Sequence, residues 1–142
     1  MERFNRLAHS VWNCKYHVVW IPKYRRKELY GVKRQIVVDT IKKWARIKGV
    51  EILEGHAMPD HIHLRISIPP KYSVAHTIGL LKGKSASEVM SFATRSSRMI
   101  RGRTFWARGY CVSTVGLDEG MIRTYIKNQE QKDKNQMYLP FK

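Results

Sequence analysis

In the run His61-Ile62-His63-Leu64-Arg65-Ile66-Ser67-Ile68, polar and apolar residues alternate without a break. An extended chain sends successive side chains to opposite faces, so Ile62, Leu64, Ile66 and Ile68 take the core side. His61, His63, Arg65 and Ser67 share the other face. Two imidazoles two residues apart then stand side by side, roughly 6–7 Å apart at Cβ. Both rings can converge on one metal ion from that distance. The spacing also suits a pair that only hydrogen-bonds a phosphate, or two half-exposed strand histidines.

Upstream lies Glu51-Ile52-Leu53-Glu54-Gly55-His56-Ala57, joined to this run by Met58-Pro59-Asp60. A Pro-Asp pair between two apolar runs predicts a hairpin turn. Pairing Ala57 with Asp60 across it sets His56 opposite His61 and Glu54 opposite His63, all on the polar face. Glu54 and His56 would then either orient the histidine pair from the side or simply be surface residues.

A second constellation is Tyr125-Ile126-Lys127-Asn128-Gln129. On a helix Tyr125 and Gln129 share one face a turn apart. A phenol and an amide there could serve a reaction. The plainer alternative is a core tyrosine in the apolar stripe of Ile122 and Ile126, with an exposed glutamine behind it. Six other tyrosines compete for any chemical role, and spacing does not choose among them.

The elements that must position these groups follow from periodicity and punctuation. Cys14–Ile21 reads as a strand closed by Pro22, and the basic loop Lys23-Tyr24-Arg25-Arg26-Lys27 follows it. Ile36, Val37, Ile41, Trp44, Ala45 and Ile47 recur at helical spacing between about Val32 and Lys48, and Gly49 stops that helix. Strands at Val50–His56 and His61–Ile68 come next, then a helix from about Ser73 to Phe92. Arg95–Arg108 reads as loop and short helix. Tyr110–Val115 is a fourth strand, and a last helix spans about residues 118–132, with a short tail, 133–142, beyond it. The order β-α-β-β-α-β predicts an α+β fold: a ferredoxin-like or RRM-like antiparallel four-stranded sheet with an additional C-terminal helix. That helix must cover the sheet's open face or leave the domain.

At 142 residues, without a linker, repeat or low-complexity block, the chain is expected to form one domain over 1–142. Its 43% hydrophobic content excludes a disordered chain, and no apolar run approaches the roughly 20 residues of a membrane span. Met1–Arg6 lacks a secretory apolar stretch, so a cytoplasmic location is expected. Cys14 and Cys111 are too few and too far apart for a disulfide framework or an all-cysteine zinc site. Twenty-seven Lys+Arg against eleven Asp+Glu give a net charge of +16. A compact body so basic calls for a polyanion, and nucleic acid is the expected partner. Candidate contacts are Lys23, Arg25, Arg26 and Lys27 after the first strand, Arg65 on the histidine face, Lys82 and Lys84 on the second helix, and Arg95, Arg98, Arg101 and Arg103 beyond it.

Taken together, Met58-Pro59-Asp60-His61-Ile62-His63-Leu64 and Tyr125-x-x-x-Gln129 resemble the single-tyrosine HUH transposases of bacterial insertion sequences. The resemblance spans nearly the whole chain, through Tyr16-His17-Val18-Val19-Trp20, Lys23-Tyr24-Arg25, Leu81-Lys82-Gly83-Lys84-Ser85-Ala86 and Trp106…Gly109-Tyr110. It implies that His61, His63 and Gln129 bind a divalent metal. Two nitrogens and an amide oxygen suit Mg²⁺ or Mn²⁺. It implies that Tyr125 attacks single-stranded DNA beside subterminal hairpins, leaving a 5′-phosphotyrosine and a free 3′-OH. It also implies a homodimer with shared sites, to which Gly116 and Gly120 around the last helix and an edge-placed fourth strand would lend themselves. The alternatives are a non-catalytic RRM-like single-strand binder, a histidine phosphodiesterase, and a domesticated palindrome-processing relative. The phosphodiesterase would need a third in-register histidine, and none is expected here.

Overall fold

The alternation in the first strand serves two cores at once. The computed structural model describes residues 5–6, 11–95, 105–114 and 119–134. Its elements are β1 (Asn5–Arg6), β2 (Val11–Trp12), β3 (Lys15–Trp20), α1 (Gly31–Ile47), β4 (Glu51–Met58), β5 (His61–Ser67), α2 (Val74–Arg95), β6 (Cys111–Ser113) and α3 (Glu119–Lys134). β4, β5, β3 and β6 form one antiparallel sheet in that order, which gives the expected ferredoxin-like arrangement. The two-residue strands β1 and β2 pair separately. They are too short to carry a periodic signal.

Val18 and Trp20 of β3 face α1 and α2, together with Ile62, Leu64 and Ile66 of β5. The helices answer with Val37, Ile41 and Ala45, at i, i+4 and i+8, and with Ile78, Leu81 and Val89. Gly49, at φ +71°, ends α1, and the Val50 N–H returns to the Ala45 carbonyl at 2.8 Å. Val19 and Ile21 face the other way and are equally buried, with Ala107 and Ile126 of α3. The last helix therefore covers the sheet's second face in its own chain.

Two expectations need correction. The β4–β5 turn contains only Pro59 and Asp60, so Met58 pairs with His61 and Ala57 with Ile62. The register is displaced by two residues from a pairing of Ala57 with Asp60, which preserves every face because side chains alternate with period two. His56 therefore stands opposite His63, and Glu54, just past an irregularity at Leu53, opposite Arg65. The second concerns the end of the segment Arg95–Arg108, read as loop and short helix, of which residues 96–104 lie outside the described residues. Phe105–Ala107 is extended: Trp106 bridges Pro22, the Lys23 N–H donates to the Phe105 carbonyl and the Ala107 N–H to the Ile21 carbonyl, both at 2.9 Å. Between the pairs Val19–Cys111 and Pro22–Trp106, the β3 side has Trp20 and Ile21 while the other side has Ala107 to Tyr110. These extra residues bulge around Gly109, at φ +82°. Among the described residues no helix is long and apolar enough to cross a membrane.

Candidate active site

The polar face of the sheet carries a row of imidazoles across three strands. His63 of β5 lies 5.7 Å, centroid to centroid, from His17 of β3 and 6.1 Å from His56 of β4. His17 is a fourth histidine on this face, and sequence reasoning missed it. Its signal was present: in Lys15–Trp20, His17 alternates with the core residues Tyr16 and Val18. Burial lowers the pKa of His63, and repulsion from His17, His56 and His61 lowers it further, so the ring is held neutral. A neutral imidazole is the form that ligates metal. Its Nε2 is buried and has no hydrogen-bond partner.

His61 is oriented by its neighbour. Its Nδ1 lies 2.9 Å from Asp60 Oδ1. Burial opposes the Asp60 charge, but hydrogen bonds with His61 and Arg25 outweigh it and hold the carboxyl below its usual range. An ionised carboxylate only accepts, so His61 Nδ1 donates this bond, and in the neutral form of the ring the lone pair is on Nε2. Glu54 Oε2 lies 3.0 Å from His56 Nε2 and Oε1 lies 3.7 Å from Arg65 Nε. The hydrogen bond with His56 lowers the Glu54 pKa. Glu54, His56 and Arg65 are thus gathered beside His63, where the hairpin places them.

From the α3 side, Ile126 is buried and Tyr125 packs against the same cluster, with its hydroxyl oxygen shielded from solvent. That cluster includes Val19, which is paired directly with His63 and shares its face. One turn on, Gln129 Nε2 donates to the Arg108 carbonyl at 3.0 Å. The bond fixes the amide and leaves Oε1 as a free acceptor. Among the described residues no three His, Cys, Asp or Glu side chains converge as a metal site. The donors that remain, His61 Nε2, the orphaned His63 Nε2 and the Gln129 amide oxygen, fit a hard divalent ion with one or more open positions.

The basic candidates divide. Lys27 is exposed, and Lys23 and Arg26 lie on either side in sequence of Tyr24, each 5.4 Å from its ring centroid. Lys84 sits on the helical layer, 4.4 Å over the Trp44 ring. Two others turn inward. Lys82 Nζ donates to the Ala107 and Gly109 carbonyls at 2.9 and 2.7 Å, and burial pushes its pKa down to about 8. Arg25 bonds Asp60 and Glu130. The Arg95 side chain and Arg98, Arg101 and Arg103 lie outside the described residues. So do Gly116 and the tail from residue 135.

Residues 10–129 match the family model described as Transposase IS200 like. The chain is similar to the transposase for insertion sequence element IS200 of Salmonella typhimurium, with 45% identity over 137 residues, 95% of this chain and 90% of that one. It is also similar to the ISDra2 transposase TnpA of Deinococcus radiodurans, with 30% identity over 124 residues, 87% of this chain and 89% of that one. Among solved structures, a Deinococcus radiodurans chain described as a transposase superimposes with a TM-score of 0.76 at 27% identity, covering 88% of this chain and 97% of that one. A REP-associated tyrosine transposase bound to a REP hairpin shares the fold, with a TM-score of 0.55 at 14% identity, covering 95% of this chain and 74% of that one.

Proposed function

The chain belongs to the IS200-like transposases, and from that premise we propose that it is a single catalytic domain that cuts and rejoins single-stranded DNA through Tyr125. One observation carries the reading above the others. α3 lies on the imidazole face of its own sheet, with Tyr125 packed against the cluster that contains Val19, the strand partner of His63, and with the Gln129 amide oxygen lacking a partner among the described residues.

His61, His63 and Gln129 would hold Mg²⁺ or Mn²⁺, which when bound would neutralise and orient the scissile phosphate. The Tyr125 oxygen attacks phosphorus and forms an O–P bond. The bond to the 3′ oxygen breaks, and that oxygen leaves as a 3′-OH after taking up a proton. The 5′-phosphotyrosine keeps the bond energy, so a second 3′-OH can reverse the step and restore the phenol without ATP. Tyrosine's free pKa near 10 makes the neutral phenol a weak nucleophile, and the shielded hydroxyl must lose its proton as it reacts. Hairpin recognition, as in the REP-bound neighbour, falls to the exposed cations of the Lys23–Lys27 loop and its surroundings.

The test is incubation with a single-stranded hairpin substrate and Mg²⁺. A denaturation-resistant protein–DNA band is expected, lost in Tyr125→Phe and in excess chelator while hairpin binding persists. Free products without a covalent band would point to a hydrolase, and a mobility shift alone to a binder. We also propose a homodimer, with β6, one of the sheet's two edges among the described residues, available for pairing. Mixing Tyr125→Phe with His61→Ala subunits asks whether α3 serves its own site. Recovered cleavage means sites completed in trans, and a dead mixture means sites built within one chain.

A further inference from the structure

The loop after β3 has a conformation that its sequence does not favour. Tyr24, at φ +60°, and Arg25, at φ +54°, are consecutive non-glycine residues in the left-handed region. Such backbone strain persists only where the surroundings dictate it. Here both ends of the loop are pinned. Lys23 is bonded to Phe105 at the entry, and the Leu29 N–H donates to the Pro59 carbonyl at 3.1 Å at the exit. The strained turn therefore lies against the β4–β5 turn and under α3.

What the strain delivers is the Arg25 side chain. Its Nε donates to Asp60 Oδ2 at 3.1 Å and its Nη1 to Glu130 Oε1 at 3.0 Å. The other Asp60 oxygen holds His61. Glu130 is the residue next to Gln129. Four side chains from three separated segments thus form one line, Glu130–Arg25–Asp60–His61, from the tyrosine helix to the first histidine. A planar guanidinium can hold two carboxylates on different edges, whereas an ammonium offers a single point charge.

We infer that Arg25 is a positioning residue that clamps α3 to the His61 side of the site, fixing the separation of Gln129 from His61 and the orientation of the His61 ring. This deepens the functional reading above and rests on it for the role of the two ligands. The clamp itself is a statement about α3 and His61 that holds with or without catalysis. It also assigns Arg25 an internal task in place of a DNA contact.

The test uses the full chain with Mn²⁺ as probe and three variants, Arg25→Ala, Arg25→Lys and Glu130→Gln. Amide hydrogen exchange over residues 119–134 reads the helix, the ¹⁵N signature of the His61 ring reads its tautomer, and Mn²⁺ titration reads the ligand set. Arg25→Ala should raise exchange in α3 by about tenfold while β3 amides stay slow. It should weaken Mn²⁺ binding by about 10- to 100-fold, the usual effect of losing a partner that orients a ligand. Arg25→Lys should recover only part of either effect. Glu130→Gln removes the charge of the helix arm and leaves only a weaker amide acceptor, so α3 exchange should rise while the His61 tautomer stays fixed. If Arg25→Ala does not fold, Glu130→Gln decides on exchange alone. Wild-type exchange in α3 for the folded variants overturns the clamp. A wild-type chain that forms no covalent adduct overturns the functional reading instead, and leaves the exchange result standing.

Discussion

Ser85 is fully buried on α2, where its hydroxyl donates to the Leu81 carbonyl at 2.7 Å and accepts from Trp106 Nε1 at 3.0 Å. Trp106 in turn meets Trp20 edge-on, with ring centroids 5.8 Å apart. Ser85→Ala leaves a buried indole N–H without its acceptor, so urea denaturation should show a loss of about 1–3 kcal/mol. His63 supplies a pH signature. Its folded pKa lies below the ordinary 6.5, chiefly through burial. The unfolded chain therefore binds a proton first, and the stability linked to this group is present above pH 6.5 and lost as pH falls through the folded value. Melts between pH 7.5 and 5 should show that decline, and His63→Gln should flatten it. Asp60 titrates in a lower window, since its folded pKa sits below the ordinary 3.8. At this scale the sequence was legible where two residues share one face of one element, as His61 and His63 do on β5 and Tyr125 and Gln129 on α3. The pairing of Arg25 with Asp60 and Glu130, 35 and 105 positions away, was not legible. No spacing rule reaches that far.

The stretch Phe105–Ser113, with its bulge at Gly109, is held from beneath by one face of α2, through Ser85 on Trp106 and Lys82 on the Ala107 and Gly109 carbonyls. It then presents the Arg108 carbonyl to Gln129. At a pKa of about 8 the Lys82 ammonium keeps its proton at neutral pH and can satisfy both acceptors. Lys82→Met should cost about 1–3 kcal/mol in thermal or urea unfolding. It should also weaken Mn²⁺ binding, because the carbonyl that fixes the Gln129 amide loses its support. Helices α1 and α2 were readable from their apolar periods to within a few residues. The stretch before β6 was not, because its shape comes from pairing with Ile21–Lys23 and from a bulge. Local sequence encodes neither.

Across the whole molecule, a charge of +16 predicts steeply salt-dependent DNA binding. Single-strand affinity should fall with a log–log slope of roughly −0.7 per phosphate contact. A flat titration would remove charge as the basis of recognition. The total was legible in the composition, but its distribution was not, since Arg25 and Lys82 are bonded within the fold. β3 has a further consequence. Val18 and Trp20 on one side and Val19 and Ile21 on the other are all 0% exposed, although antiparallel sheets often leave one face to water. Lifting α3 would wet Val19, Ile21 and Ala107 together, and that unfavourable hydration is relieved only by another apolar helix in the same seat. α3 is thus held to the sheet by apolar burial as well as by its polar contacts, and a lifted helix is costly to leave in water.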